Sequence, residues 1–277
     1  LAKYKNYFRL IEKNYSFALY QFKNTAEMIR TEQYTVHGSE IDHTYHLKPY
    51  LVASLFQDAF ARYSADLGFA AYDLQHHDRT WILSDMHMEF DGMTPFWREP
   101  YTIKTWVRKN QKVRMYVDFE AVNSLGKIFS RGSSCWLVLD ENTREVVDAA
   151  EILNNFPVSD TDAIPDFRFI LLQPEGELVN TEEQEVRTYD IDFNGHLNSV
   201  RYIAGGLEAI PRDIRLIHKL KSVTVRYIKE VYLGDVVRCE VRRVEHSSII
   251  WIQLYNGMDE EVCRFKTDWE LYPNQIL

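Results

Sequence analysis

Residues 188–199 read TYDIDFNGHLNS, and five polar groups, Asp190, Asp192, Asn194, His196 and Asn198, occupy every second position. Two carboxylates, two amides and an imidazole are groups that move protons and hold a water molecule or a carbonyl oxygen. With period two they share one face of an extended chain, so the spacing predicts a strand whose polar face could carry acid–base chemistry. The competing reading is a solvated hairpin closed at Asn194-Gly195, a common turn dipeptide. A metal site is not expected, because Asp, Asn and His in this pattern match no familiar ligand set. Within the run, Asp190 and Asn198 read as structural, Asn198 as the N-cap of a following helix.

The flanking segments show what must position these groups. Leu197, Val200, Ile203, Leu207 and Ile210 recur at helical spacing and stop at Pro211. A helix, not a partner strand, therefore follows the Asn-Gly, which weakens the hairpin reading. EVRTYDIDF (185–193) reads as the strand before it, and LKSVTVRYIKEV, DVVRCEVRRV, SSIIWIQLYN and EVCRFKTDWEL read as strands after it. The first half has the same order. TEQYTVHGSE reads as a strand, and Leu51, Leu55, Ala59, Tyr63 and Leu67 mark a helix from Pro49 to about Gly68. Four aromatic, β-branched strands follow between residues 81 and 140. DHTYHL at 42–47 and DFNGHL at 192–197 lie 150 residues apart, each just before a helix. The chain therefore reads as an internal duplication, each copy a long helix wrapped by an antiparallel sheet.

The expected boundaries are an N-terminal extension at 1–27, a first domain at 28–150, a linker at 151–180 with Pro157, Pro165 and Pro174, and a second domain at 181–277. Residues 1–27 could form an amphipathic helix for a membrane surface or partner. They read better as an extension outside the main fold, upstream of Met28, and not as a secretory leader. The 277 residues are 45% hydrophobic and 26% charged, a globular composition. A net charge of −9 argues against a general nucleic-acid binder. No apolar run is long enough to span a membrane. Cys135, Cys239 and Cys263 lack metal-ligand spacing, and their odd number suits a reducing cytoplasm.

A long helix held in a curled antiparallel sheet is the hot-dog architecture, so the expected fold is α+β, a tandem (double) hot dog. DIDFNGHLNSVRY resembles the D-x-D-x-N-x-H-x-N…Y pattern of fatty acyl thioesterases with that fold. The chain is most similar to the acyl-acyl-carrier-protein (acyl-ACP) thioesterases of plants and their bacterial relatives. The likeness runs from about Met28 to the end and includes RTW at 79–81, IKTWV at 103–107, SCWLVLDENTR at 134–144, YDIDFNGHLNSVRYI at 189–203 and YIKEVYLGD at 227–235. The resemblance implies hydrolysis of fatty acyl-ACP without a cofactor, in a bacterial cytoplasm, with Asp192, Asn194, His196 and Glu230 as catalytic positions. Rival readings are an acyl-CoA thioesterase, a hydroxyacyl-ACP dehydratase and a non-catalytic acyl-binding protein. Acyl chain length and a homodimer stay open.

Two departures from the family matter. Val231 stands where plant enzymes carry a Cys, so a thiol nucleophile is not available there. Gly205 and Gly206 stand where a Trp is frequent, either allowing close packing or widening the acyl pocket. The implied scheme has Glu230 and Asn194 holding and deprotonating a water, with Asp192 orienting His196; Asp192 and Glu230 could exchange roles. Backbone N–H groups at the start of the following helix are natural oxyanion donors. His46, the first-half copy, is expected to matter little. The family places the fatty chain in the first domain, which points to Leu55, Phe56, Phe60, Trp81, Met86 and Met88. An acidic carrier protein needs a local basic patch on so acidic a chain. Residues 212–229, with Arg212, Arg215 and Lys219 foremost, are preferred over the basic run at 104–114.

Overall fold

The computed structural model describes residues 28–42, 45, 47–91 and 94–272; the expectations for residues 1–27 and for His46 lie outside them. The first half runs β1 (Arg30–Thr35), α1 (Pro49–Asp66), α2 (Ala71–Gln75), β2 (Arg79–Phe90), β3 (Pro100–Gln111), β4 (Arg114–Asn123) and β5 (Ile128–Asp140). After α3 (Ala150–Leu153) the second half runs β6 (Glu177–Glu185), α4 (Ser199–Glu208), α5 (Arg212–Ile217), β7 (His218–Tyr227), β8 (Val236–Arg243), β9 (Ile249–Tyr255) and β10 (Glu261–Leu271). All ten strands form one sheet in the order β1-β3-β4-β5-β2-β7-β10-β9-β8-β6. Read inward from each end, the two halves have the same order, and they meet where β2 pairs antiparallel with β7. The duplication seen in the residue pattern is therefore a duplication of topology: a double hot dog.

The hydrophobic stripe of α1 faces the sheet, with Val52, Ala53, Phe56, Ala59, Phe60 and Tyr63 buried. Leu51, Leu55 and Leu67 flank the stripe and are only partly buried, so its centre lies one residue from the predicted row. A Cβ at Gly132 of β5 would come within 2.6 Å of the Phe56 ring. Beyond α1, Gly68 takes φ +79°, the left-handed turn expected at the helix end. In β10, Cys263, Phe265, Thr267 and Trp269 are buried while their neighbours Arg264, Lys266, Asp268 and Glu270 are not, the period-two alternation read from the residues.

Two expectations are corrected. The strand placed at 185–193 is β6, Glu177–Glu185, and the chain then enters a 3-10 turn at Thr188–Asp190. The run from 185 has strand-like alternation because its turns are tight, not because it is extended. The linker, expected merely to cross the surface, is fastened to the outer face of the first-half sheet. Val107 bridges Val158, Trp106 Nε1 donates to the Thr161 carbonyl at 2.7 Å, and the Ala163 N–H donates to Asp118 Oδ2 at 2.9 Å. Phe167 stacks on His87 with ring centroids 4.2 Å apart. Arg108 pairs with the buried Asp118 and lies 3.7 Å from Asp162 of the linker, so charge as well as apolar area holds the segment. No helix among the described residues is long and apolar enough to cross a membrane.

Candidate active site

The DIDFNGHL run is a closed loop and not the extended face its alternation predicted. Ile191 and Leu197 bridge each other, the Asp192 N–H donates to the His196 carbonyl at 2.9 Å, and the Gly195 N–H donates to the Asp192 carbonyl at 3.0 Å. Gly195 sits at φ +83°, a conformation other residues adopt only with strain. Asp192 Oδ1 accepts the N–H groups of Asn194 at 2.8 Å and His196 at 3.3 Å. This is the Asx-turn chemistry that makes Asp a loop former. Asp192 thus fixes the backbone that carries Asn194 and His196. Asp190 and Asn198 are structural, as expected: Asp190 accepts the Arg187 N–H at 3.0 Å, and Asn198 caps α4 through the Val200 N–H at 2.9 Å.

The segment after β7 brings the second carboxylate. His196 bridges Tyr232, and the Leu197 N–H donates to the Val231 carbonyl at 2.8 Å, so Glu230 is presented beside the imidazole. His196 Nδ1 lies 3.4 Å from Glu230 Oε1; the side chains are 19% and 25% exposed. The Tyr232 hydroxyl donates to Glu230 Oε2 at 3.3 Å, and its ring meets the imidazole edge-on. Partial burial pushes the His196 imidazole below its ordinary 6.5, with Arg144 adding to the fall and Asp192 opposing it. The ring is therefore neutral at pH 7 and able to accept a proton.

Two side chains of the first half complete the group. Arg144, on the turn after β5, ion-pairs with Glu230 Oε1. Gln75, the last residue of α2, donates through Nε2 to Asn194 Oδ1 at 3.3 Å. Neither residue was singled out from the sequence; Arg144 lies in the quoted SCWLVLDENTR, but nothing in its spacing ties it to residue 230. Tyr232 lies in the quoted YIKEVYLGD, two residues from Glu230, but nothing in the sequence marks its hydroxyl as a partner of that carboxylate. The helix α1 passes close by, since Ser199 Oγ at the start of α4 donates to Gln57 Oε1 at 2.6 Å.

Asp192, Asn194, His196 and Glu230 thus gather in one place. Of the residues assigned to the acyl chain, Leu55, Phe56 and Phe60 lie on α1 and Trp81, Met86 and Met88 on β2. Phe56 stacks on Phe119 at 4.7 Å, Phe60 meets Trp81 edge-on at 5.6 Å, and Met86 and Met88 are fully buried opposite Val225 and Val223. Leu55 and Trp81 are partly buried. The docking candidates stand elsewhere. Arg215 pairs with Glu208 at 2.8 Å and Lys219 with Glu270 at 2.8 Å. Lys219 also precedes Tyr227 by eight residues of β7, about 27 Å of strand. Arg212 is exposed on α5.

Among the described residues, the first half repeats part of the scaffold of this loop. Lys48 N–H to the Glu40 carbonyl corresponds to Asn198 N–H to the Asp190 carbonyl, both at 2.9 Å. Arg98 N–H to the Val36 carbonyl, 3.1 Å, corresponds to Gly234 N–H to the Val186 carbonyl, 3.0 Å. By the latter register Thr94 stands where Glu230 does, so the first-half loop has no matching carboxylate.

Comparison with known proteins bears on the family and the fold. Residues 27–156 match the model of the acyl-ACP thioesterase N-terminal domain, and residues 175–271 match that of its C-terminal domain. An oleoyl-acyl carrier protein thioesterase of Arabidopsis thaliana is 24% identical over 214 residues, 67% of this chain and 55% of that protein. A palmitoyl-acyl carrier protein thioesterase of Cuphea hookeriana is 25% identical over 190 residues, 65% of this chain and 43% of that protein. The matched region thus spans about half the length of these plant relatives. Among solved structures, an acyl-ACP thioesterase of Bacteroides thetaiotaomicron superposes with a TM-score of 0.78 at 24% identity, covering 89% of this chain and all of the other. The 12:0-ACP thioesterase of Umbellularia californica gives 0.79 at 20% identity, with 90% of this chain and all of the other covered. Two domain models matched in order, with the same double hot dog in both solved relatives, lead to one assignment: the chain belongs to the acyl-ACP thioesterase family.

Proposed function

We propose that this chain hydrolyses the thioester of fatty acyl-ACP to a free fatty acid and the carrier protein's thiol. The observation that carries the reading is the pair of Glu230, after β7, and His196, 3.4 Å apart, with Asn194 presented on the same loop as His196. The carboxylate assists the water through the imidazole. Both Glu230 oxygens are already engaged, by Arg144 and His196 on one side and Tyr232 on the other, so Glu230 acts by holding Nδ1–H. His196 Nε2 then takes a proton from the attacking water as its oxygen bonds to the thioester carbon. The C–S bond breaks, and the same proton passes from Nε2 to the departing thiolate. With its Oδ1 held by Gln75, Asn194 has its Nδ2 group left to donate to the water or the carbonyl oxygen. Asp192 holds the loop in shape and stabilises the imidazolium that forms. This differs from a scheme with Glu230 as the direct base.

The acyl chain is placed in the first half, between α1 and the sheet, where Leu55 and Trp81 are the partly buried members and Phe56, Phe60, Met86 and Met88 lie deeper. The partner is an acyl carrier protein, and the site of action the cytoplasm of a bacterial cell, a reducing compartment that suits three buried free cysteines. Both halves of one chain furnish the site, so a homodimer is not needed to complete it.

Thiol release from a panel of acyl-ACPs of graded length, set against the matching acyl-CoAs, tests the reading. Faster turnover of acyl-ACP supports it. Preference for acyl-CoA would make this an acyl-CoA thioesterase, and an enoyl product from hydroxyacyl-ACP with no thiol released would make it a dehydratase. A shift to shorter chains in Met88→Phe, with the fold retained, would support the placement of the pocket.

A further inference from the structure

Resting on that reading, we propose that Arg144, a residue of the first half, is a positioning residue for hydrolysis in the second half: its guanidinium holds the Glu230 carboxylate in register with the His196 imidazole. Three features of the geometry support this. First, the ion pair joins Arg144 to Glu230 Oε1, the same oxygen that faces His196 Nδ1 at 3.4 Å. Second, Glu230 lies on the segment between β7 and β8, away from regular strand pairing, so its side chain needs fixing from outside. The Tyr232 hydroxyl holds Oε2 at 3.3 Å, and Arg144 is the cation on the other oxygen. Third, Arg144 is itself held on a shaped turn. Asp140 Oδ1 accepts the N–H groups of Asn142 and Thr143, each at 2.9 Å, and the Arg144 N–H donates to the Asp140 carbonyl at 2.9 Å. Arg144 adopts φ +60° there, a backbone state that non-glycine residues rarely take. A bound, left-handed turn that delivers one guanidinium to a partly buried carboxylate of the other half is costly for an ordinary surface ion pair, whose worth is small.

The bland alternative is a clasp that holds the two halves together and does nothing for chemistry. The two roles separate in their readouts. A clasp is felt as lost stability; a positioning residue is felt in kcat, in the pH profile and in its dependence on Glu230. The charged and titratable groups facing His196 are Asp192 on its own loop, Glu230 and Tyr232 on the segment after β7, and Arg144 on the turn after β5. Of these, only Arg144 brings a fixed positive charge. Its removal should let the imidazole hold its proton to higher pH, moving the acid limb of the rate profile upward.

The experiment uses the full chain and measures thiol release from a long-chain acyl-ACP for the wild type, Arg144→Gln, Arg144→Lys, Glu230→Gln and the double variant Arg144→Gln/Glu230→Gln. Arg144→Gln should lower kcat by ten- to a hundredfold while KM changes less than threefold, and shift the acid limb upward. Arg144→Lys, which restores the charge without the planar fork, should recover part of the rate and most of the pH profile. The double variant should be no slower than Glu230→Gln alone, because Arg144 acts through that carboxylate. Wild-type kcat and pH profile in Arg144→Gln would overturn the proposal. So would a rate loss that multiplies with that of Glu230→Gln, or one that appears only as a lower melting temperature. A wild-type enzyme that releases no thiol from any acyl-ACP would instead overturn the parent reading, and this one with it.

Discussion

At the scale of single residues, the site depends on an imidazole kept neutral beside an oriented carboxylate. His196→Ala should lower kcat by several powers of ten while the melting temperature stays within a few degrees, since the ring is only partly buried. Glu230→Gln keeps the shape and removes the charge, and a loss of roughly a hundredfold would fit the range expected of a group assisting an acid–base step; near-normal rates would remove Glu230 from the mechanism. Burial holds His196 below 6.5, and its neutral form is the active one. Activity should therefore persist down to pH 6.5 and fall tenfold per pH unit only below the depressed midpoint. A profile whose acid limb lies above 6.5 would contradict this. The thiols are outside the chemistry. Burial pushes Cys135 and Cys239 up to about 12 and Cys263 well above its ordinary range, so none supplies a thiolate at neutral pH. Replacing all three by Ala or Ser should leave turnover in the folded protein, and an acyl group trapped on a cysteine would refute the water-attack scheme. The site was half legible. Asp192, Asn194 and His196 declared themselves by type and spacing. Glu230 came from resemblance, while Arg144 and Gln75 were invisible, because contacts across 86 and 119 residues leave no periodic trace in a chain; Tyr232, two residues from Glu230, carried no mark of its own.

At the scale of elements, hydrophobic periodicity found nearly every strand and both main helices, because each buries one face and its apolar residues must repeat accordingly. It failed at the catalytic loop. There the alternation arises from an Asx turn, a tight Asn-Gly and a single β-bridge, and a rule keyed to burial cannot tell such a loop from a strand. Locally the run is a short hairpin closed around Asn194-Gly195, the alternative to the extended strand face. The helix α4 settles the question of its paired glycines. A Cβ on Gly206 would lie 3.1 Å from the Phe265 ring of β10, and one on Gly205 would lie 2.6 Å from Gln184 Oε1 of β6. The glycines let the helix sit close to its sheet. Gly206→Val should cost about 1–3 kcal/mol through overpacking, read as a lower midpoint in denaturant. An unchanged or raised stability would mean that room exists where none is visible.

At the scale of the whole molecule, the division of labour between the halves differs from a simple split into binding and catalytic domains. The proposed catalytic side chains come from the second half, yet Gln75 and Arg144 of the first reach into the same group. Of the basic run expected to meet the carrier protein, Lys229 directly precedes Glu230, while Arg212, Arg215 and Lys219 lie on α5 and at the start of β7. The Tyr272 N–H donates to the Ile217 carbonyl at 3.0 Å, which ties the end of α5 to the end of β10. Reversing Arg212, Arg215 and Lys219 to Glu should therefore change KM for acyl-ACP less than twofold at moderate salt, and a tenfold rise would restore docking to that surface. The edges of the sheet have their own consequence. The strand β6 closes one end of the sheet and carries four glutamates in nine residues. An open edge can recruit a second chain, and like charges along it keep two such edges apart. That protection is a matter of unscreened charge: as salt shortens the reach of the repulsion it fades, and the protein should begin to self-associate through this end, visible as rising light scatter, while its helices and strands remain intact.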